Sequence, residues 1–290
     1  MWFKTYFDSN ANLNIDFENY QLKTNNLTIE ESAVKYIKYI SETYPAPYYL
    51  YASGGIDSQV MLYLWKKSKI PFTVVSFKYI DRDGNILNYH DLTELVTFSI
   101  EQNINITFHE LSILKFLENE MLIYAIRYQC TSPQICTHMK ISDHYSDGTI
   151  IFSGNFIHTS TLNYTIYGLE RFRQLSKKSM IPYFLMYDAD LSTAFMHSIT
   201  STGLVKYNKK VATYKSAGFP VIPQKEKYTG FEKIKDYYDQ FPHLVTNRER
   251  ILYSKYPSRR IFDLVFRYRL TEHIKYEDQI IFKNLPKFSQ

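Results

Sequence analysis

The chain has 290 residues, of which 45% are hydrophobic, 17% aromatic and 22% charged, with 9 Gly and 10 Pro; this excludes a disordered, collagen-like or loop-only chain. It is long enough for one large domain, or one domain with a smaller appendage, around a sizeable core. The net charge of +5 suits an anionic ligand such as a nucleotide or tRNA without demanding one, since a solvated surface also accounts for it.

Residues 1–27 mix aromatics with Asn and Asp and predict a small strand pair. Thr28 and Glu31 have capping-box spacing, and Ala33, Ile37 and Ile40 continue at helical period to about Glu42–Tyr44, before Pro45. Tyr48–Ala52 is a short apolar run of the kind buried strands have. It leads into Ser53-Gly54-Gly55-Ile56-Asp57-Ser58 and then a helix whose buried side carries Val60, Met61, Leu64 and Trp65. A strand over Phe72–Phe77 completes a βαβ unit, so the two strands are expected to be parallel.

The alternation continues through a helix from Asp91 to about Gln102 and a strand over Ile104–Phe108. A long apolar-periodic helix over 112–128 comes next, then a helix from Ser132-Pro133 to about Tyr145. The strand Thr149–Phe152 ends at Ser153-Gly154-Asn155. Beyond about residue 160 the regularity is lost. Tyr187–Ser201 and Glu249–Lys275 read as helices, and Ala217–Pro223 as extended. The expected fold class is α/β, an open parallel sheet flanked by helices with a mainly helical C-terminal region. The division is 1–45 as an N-terminal extension, 46–160 as the α/β core and 161–290 as the C-terminal region.

Cys130 and Cys136 make no disulfide framework, which points to a reducing cytoplasm. Their spacing matches no zinc pattern, and a structural role outweighs sulfur chemistry. No run approaches the roughly 18 apolar residues of a membrane span, and Met1–Tyr6 lacks a basic-then-apolar secretory pattern. A cytoplasmic protein with no membrane partner is the expectation.

The chemistry concentrates in residues 53–58. Two glycines allow positive φ and close approach of backbone to a ligand. The following helix start offers unpaired N–H groups and partial positive charge, and Ser53 and Ser58 add hydroxyls. Together they suit a phosphate oxyanion. No lysine follows the glycines, so this is not a Walker A loop, and the Gly-x-Gly-x-x-Gly spacing of dinucleotide folds is absent.

The hexapeptide matches the Ser-Gly-Gly-x-Asp-Ser pattern of the PP-loop, N-type ATP pyrophosphatases, and the chain resembles that superfamily over roughly residues 45–160, nearest to its asparagine synthetase-like synthase domains. The resemblance implies a Rossmann-like sheet of the adenine nucleotide alpha hydrolase type, with ATP and Mg²⁺ as cofactors. It implies an ATP-dependent adenylating ligase: a substrate carbonyl or carboxyl oxygen attacks the α-phosphate, pyrophosphate leaves, and ammonia or an amine displaces AMP. The acceptor, a carbonyl, carboxyl or base, would bind the C-terminal region. Ser53, Gly54, Gly55 and Ser58 would hold the departing pyrophosphate, Ala52 would belong to the same nucleotide site, and Asp57 would ligate Mg²⁺ or cap the loop. Phe77 and Lys78 would lie near adenine, with Ser153, Gly154 and Asn155 at the next strand end.

Asparagine synthetases usually carry an acidic pair after that last Ser-Gly, where this chain has Asn155-Phe156-Ile157. The roughly 45 residues ahead of the core are too short for a glutaminase domain, so the expectation is a synthase-like chain without one. Lys225 and Lys227 are the candidates for a cation on the departing pyrophosphate, so Asp57, Ser58, Lys225 and Lys227 form the expected catalytic set. Arg260 and Arg267 form a basic helix face that reads as surface or as an anion site. A tRNA-modifying enzyme, thiolation included, and a non-catalytic nucleotide-binding module are the alternatives, with nucleic acid left open as a partner.

Overall fold

The computed structural model describes residues 4–7, 13–16, 27–128, 130, 133–154, 164–200, 207–224 and 281–283. The N-terminal strand pair forms: β1 (Lys4–Phe7) and β2 (Leu13–Asp16) are antiparallel. Helix α1 (Ile29–Thr43) starts at the capping box, where Thr28 Oγ1 accepts from the Glu31 amide at 3.2 Å and Glu31 Oε2 accepts from the Thr28 amide at 2.8 Å. Its buried stripe is Ile29, Ala33, Tyr36, Ile37 and Ile40, at the spacing that places one helix face against a core.

The core then alternates through β3 (Tyr48–Tyr51), α2 (Ile56–Ser68), β4 (Thr73–Ile80), α3 (Tyr89–Glu101) and β5 (Ile106–Ser112). Three helices follow, α4 (Ile113–Asn119), α5 (Met121–Tyr128) and α6 (Pro133–His144), before β6 (Thr149–Phe152). Next come α7 (Tyr164–Ser176), β7 (Met180–Ile181), α8 (Phe184–Tyr187), α9 (Ala189–Thr200) and α10 (Tyr207–Ser216). A last strand, β8 (Ile281–Lys283), pairs in parallel with β2.

The main sheet has five strands in the order β5-β4-β3-β6-β7, and every pairing is parallel. This is the open parallel sheet flanked by helices that the alternation predicts. Parallel strands are covered on both faces, and β6, with all four residues buried, shows it. Trp65 of α2 is fully buried and packs its indole on the rings of Tyr48, Phe72 and Phe184. Lys66 of α2 donates to the Gln102 carbonyl at the end of α3, tying those two helices together.

Four elements differ from the sequence expectation. The strands expected at 72–77 and 104–108 are longer, because β4 and β5 stay paired as far as Ile80↔Ser112, well past the end of β3. Lys78, His109 and Glu110 break the apolar pattern in that extension. The helix expected over 112–128 divides at Glu120 into α4 and α5, while its apolar periodicity runs on unbroken. A fifth strand, β7, joins the sheet from beyond residue 160; with two residues it has no periodicity to read. The helix expected over Glu249–Lys275 lies outside the described residues. Among the described residues, no helix is long and apolar enough to cross a membrane.

Replacing Trp65 tests the packing. Trp65→Ala should cost about 3–5 kcal/mol in urea denaturation, as expected for deleting a buried aromatic. Trp65→Phe should cost far less, because the indole Nε1 is buried without a hydrogen-bond partner and its loss removes an unsatisfied donor.

Candidate active site

The order of strands determines where a ligand can lie. From β3 the chain steps outward to β4 and β5, then crosses back to place β6 on the other side of β3. Such a reversal opens a crevice beyond the carboxyl ends of the two strands that flank it. Here those ends are Ala52–Gly55 after β3 and Ser153–Gly154 after β6. The hexapeptide therefore sits at the one topological switch point of the described sheet.

The loop is held closely. Ala52 donates its amide to the Val75 carbonyl at 3.0 Å, and its own carbonyl accepts from Ser76 Oγ at 2.7 Å. Gly54 has φ +91°, and a Cβ there would lie 2.1 Å from the backbone oxygen of Asp91. Both facts require glycine. Gly55 is the N-cap of α2 and no side chain caps it, so the first-turn amides and the positive end of the helix face the crevice. That is the donor set a phosphate needs.

The side chains stand partly elsewhere than the sequence implies. Ser58 is buried, and its hydroxyl donates back to the Gly55 carbonyl at 2.7 Å; its proton stabilises the loop instead of facing a ligand. Asp57 accepts from Tyr214 Oη at 2.6 Å on one carboxylate oxygen and pairs with Lys210 on the other. The side chains of Asp57 and Lys210 are only 15% and 17% exposed, so little water screens the pair. Burial, reinforced by the Asp57 carboxylate, holds the Tyr214 pKa well above that of a free phenol, and the hydroxyl stays a donor. Both Asp57 oxygens thus have a partner on α10. No group of three or more potential metal ligands occurs among the described residues.

Lys210 and Tyr214 lie one turn apart on α10, so both reach the same carboxylate. They were not legible in the sequence, because α10 has little amphipathic pattern. Its docking comes from aromatic rings: Tyr214 and Phe219 pack edge-on, and Phe219 meets Tyr63 of α2 and Phe195 of α9. The segment after α10, read as extended, forms no strand. It crosses the starts of α2 and α3, where Gln59 bonds Ile222 and Gln224 Nε2 donates to Asp91 at 2.6 Å.

Phe77 is buried against Tyr51 and Tyr79, and its carbonyl accepts from Asn88 Nδ2 at 2.9 Å. Lys78 projects to the other face of the sheet and lies over the Phe108 ring of β5, so the structure does not bring its ammonium to the loop. Ser153 accepts from the Leu185 amide at 3.1 Å. Gly154 has φ +68° and lies so close to Tyr183 that a Cβ would meet the ring at 2.7 Å. Asn155, Lys225, Lys227, Arg260 and Arg267 lie outside the described residues. Cys130 and Cys136 are both buried and form no disulfide.

The structure thus places the Ser-Gly-Gly-x-Asp-Ser loop at the switch point of a five-stranded parallel sheet. This is the open parallel sheet, with its loop at the strand ends, that the resemblance to the PP-loop ATP pyrophosphatases implies. No protein-family model matches the chain, and neither does any curated protein. Among solved structures, the chain is similar to an NH3-dependent NAD synthetase from Campylobacter jejuni at 12% identity, covering 90% of this chain and 98% of that one, with TM-score 0.39. It is also similar to the U34-tRNA thiolase NcsA from Methanococcus maripaludis (14% identity, 86% and 80% covered, TM-score 0.39). An NMN synthetase from Francisella tularensis matches at 12% identity, over 75% of this chain and 96% of that one, with TM-score 0.36.

Two substitutions probe this geometry. Gly54→Ala should abolish binding of ATP in a calorimetric titration, since the loop must move to relieve a 2.1 Å contact with backbone. Asp57→Ala should destabilise the fold by up to about 3 kcal/mol, because it strands a largely buried ammonium. The double variant with Lys210→Met should recover much of that loss, read as a coupling energy in urea denaturation.

Proposed function

We propose that this PP-loop chain is an ATP-dependent adenylating enzyme. In this reading an acceptor carbonyl or carboxyl oxygen attacks the α-phosphorus of ATP, and the α–β anhydride bond breaks with its electron pair leaving on pyrophosphate. An amine or ammonia then displaces AMP and loses a proton, leaving an amide or amine product. The observation that carries the reading is the uncapped start of α2 behind Gly54-Gly55, placed at the sheet's switch point.

The residues' parts follow from their positions. The amides of the loop and first turn of α2 stabilise charge building on the departing pyrophosphate, the effect that preorganised donors have on developing anions. Ser53, partly exposed, adds a hydroxyl at the mouth of the loop. Lys210 stands beside the loop but is neutralised by its pair with Asp57, so Lys225 and Lys227 remain the candidates for a cation on the pyrophosphate. Phe77 and the Ser153–Gly154 turn border the adenosine side of the crevice. Mg²⁺ bound to the nucleotide would supply further charge neutralisation, but no step is assigned to it through Asp57.

The acceptor belongs to the C-terminal half, and the asparagine synthetase-like reading with ammonia or an amine as donor is retained. A polynucleotide acceptor is the second reading, favoured by the net charge of +5 and matching what the U34-tRNA thiolase is named for. Thiolation by this chain's own cysteines is disfavoured, because both thiols are buried.

Incubation with ATP and a metabolite and tRNA extract, followed by mass spectrometry of the nucleotides, tests the proposal. AMP and pyrophosphate are the expected products. ADP and phosphate would overturn it. ATP binding without turnover or pyrophosphate exchange would leave a nucleotide-binding module. Acceptor binding that weakens steeply with salt would favour the polynucleotide.

A further inference from the structure

Gln59 lies one residue beyond the hexapeptide, fully buried, in a stretch of α2 where Val60, Met61, Leu62 and Leu64 are apolar and equally buried. An amide at such a place destabilises the fold unless it is satisfied. Its Nε2 donates to the Gly54 carbonyl at 3.2 Å and to the Ile222 carbonyl at 3.0 Å, and its Oε1 accepts from the Ile222 amide at 2.7 Å. One side chain therefore grips the positive-φ glycine of the loop and the segment that follows α10.

The carbonyl and N–H of a trans peptide point in opposite directions across its plane. Drawing the Gly54 carbonyl inward onto buried Gln59 turns the Gly55 N–H the opposite way, out of the packed interior. Gly54, at φ +91° and without a side chain, leaves this peptide free to turn unless a partner fixes its direction. We infer that Gln59 is a positioning residue, which aims the Gly54–Gly55 peptide at a bound phosphate and makes that aim depend on the docked 219–224 segment. The inference rests on the reading of the loop as a phosphate site.

The test uses the full chain, inorganic pyrophosphate and ATP as titrants, and the variants Gln59→Met and Gln59→Glu. Met removes all three bonds. Glu keeps the shape, but its ionised form faces two carbonyls; its protonated form regains a donor for one of them and an acceptor for the Ile222 amide. Affinity is read as a ratio to wild type at each pH, which cancels the protonation of pyrophosphate itself.

The expected result is about tenfold weaker binding by Gln59→Met at every pH. Binding by Gln59→Glu should be weak near about pH 8 and recover toward wild type by about pH 5.5 as the carboxyl protonates. A flat ratio for Gln59→Glu, whether near that of Met or near one, overturns the inference. Should a variant fail to fold, the wild type alone decides. Pyrophosphate should shift the backbone amide resonance of Gly55, and an unmoved Gly55 amide overturns the inference. Wild type that binds neither pyrophosphate nor ATP overturns the phosphate-site reading itself, a result distinct from binding by wild type and variants alike.

Discussion

The site depends on a central strand that stops early. β3 has four residues and ends at Tyr51, while its neighbour β4 runs eight and continues to Ile80. The backbone of β4 beyond Val75 thus loses its partner on the β3 side, and buried amides and carbonyls without partners are costly. The structure supplies substitutes. Asn88 Nδ2 donates to the Phe77 carbonyl, Asn88 Oδ1 accepts from the Tyr79 amide, and Leu87 donates to the Tyr79 carbonyl at 2.7 Å. These bonds hold the start of α3 beside the loop, and Gly54 then fits beneath the Asp91 backbone. Crevice, loop conformation and the placement of α3 all follow from the short strand.

Charge at the loop is the second constraint. A carboxylate beside a phosphate site repels its ligand unless a cation stands between them. In this chain Lys210 and Tyr214 already engage the Asp57 carboxylate, through an ion pair and a phenol that burial keeps protonated. The pair is locally neutral, so the positive end of α2 is not cancelled by its own first-turn acid. A helix from the distant C-terminal region thereby becomes part of the electrostatics of a loop read from residues 53–58.

The sequence made the βαβ unit, the capping box and the loop legible because each rests on local chemistry. Thr28 and Glu31 are three apart, and the loop glycines lie between an apolar run and a helix pattern. The rest was hidden for physical reasons. Lys78, His109 and Glu110 belong to strands that outlast β3, and their polarity ends an apolar pattern without ending the pairing. Gln59 looks like an ordinary helical polar residue, and only its contact with Ile222, 163 positions away, shows it to be an interior residue. Lys210 and Tyr214 gain their meaning from Asp57 in the same way. Long-range partners leave no spacing in the residues themselves.

Those long-range partners share one segment. Residues 207–224 contact the loop region at three places: α10 at Asp57, Ile222 at Gln59 and Gln224 at Asp91. Each contact falls at or within a turn of the start of α2 or α3, where unsatisfied backbone donors gather. Gln59 bonds the loop carbonyl and the crossing segment with the same nitrogen, so displacing the segment loosens the glycine peptide as well. By this geometry residues 207–224 are part of the scaffold that holds the starts of α2 and α3 beside the loop, although they lie outside the regular alternation of strands and helices.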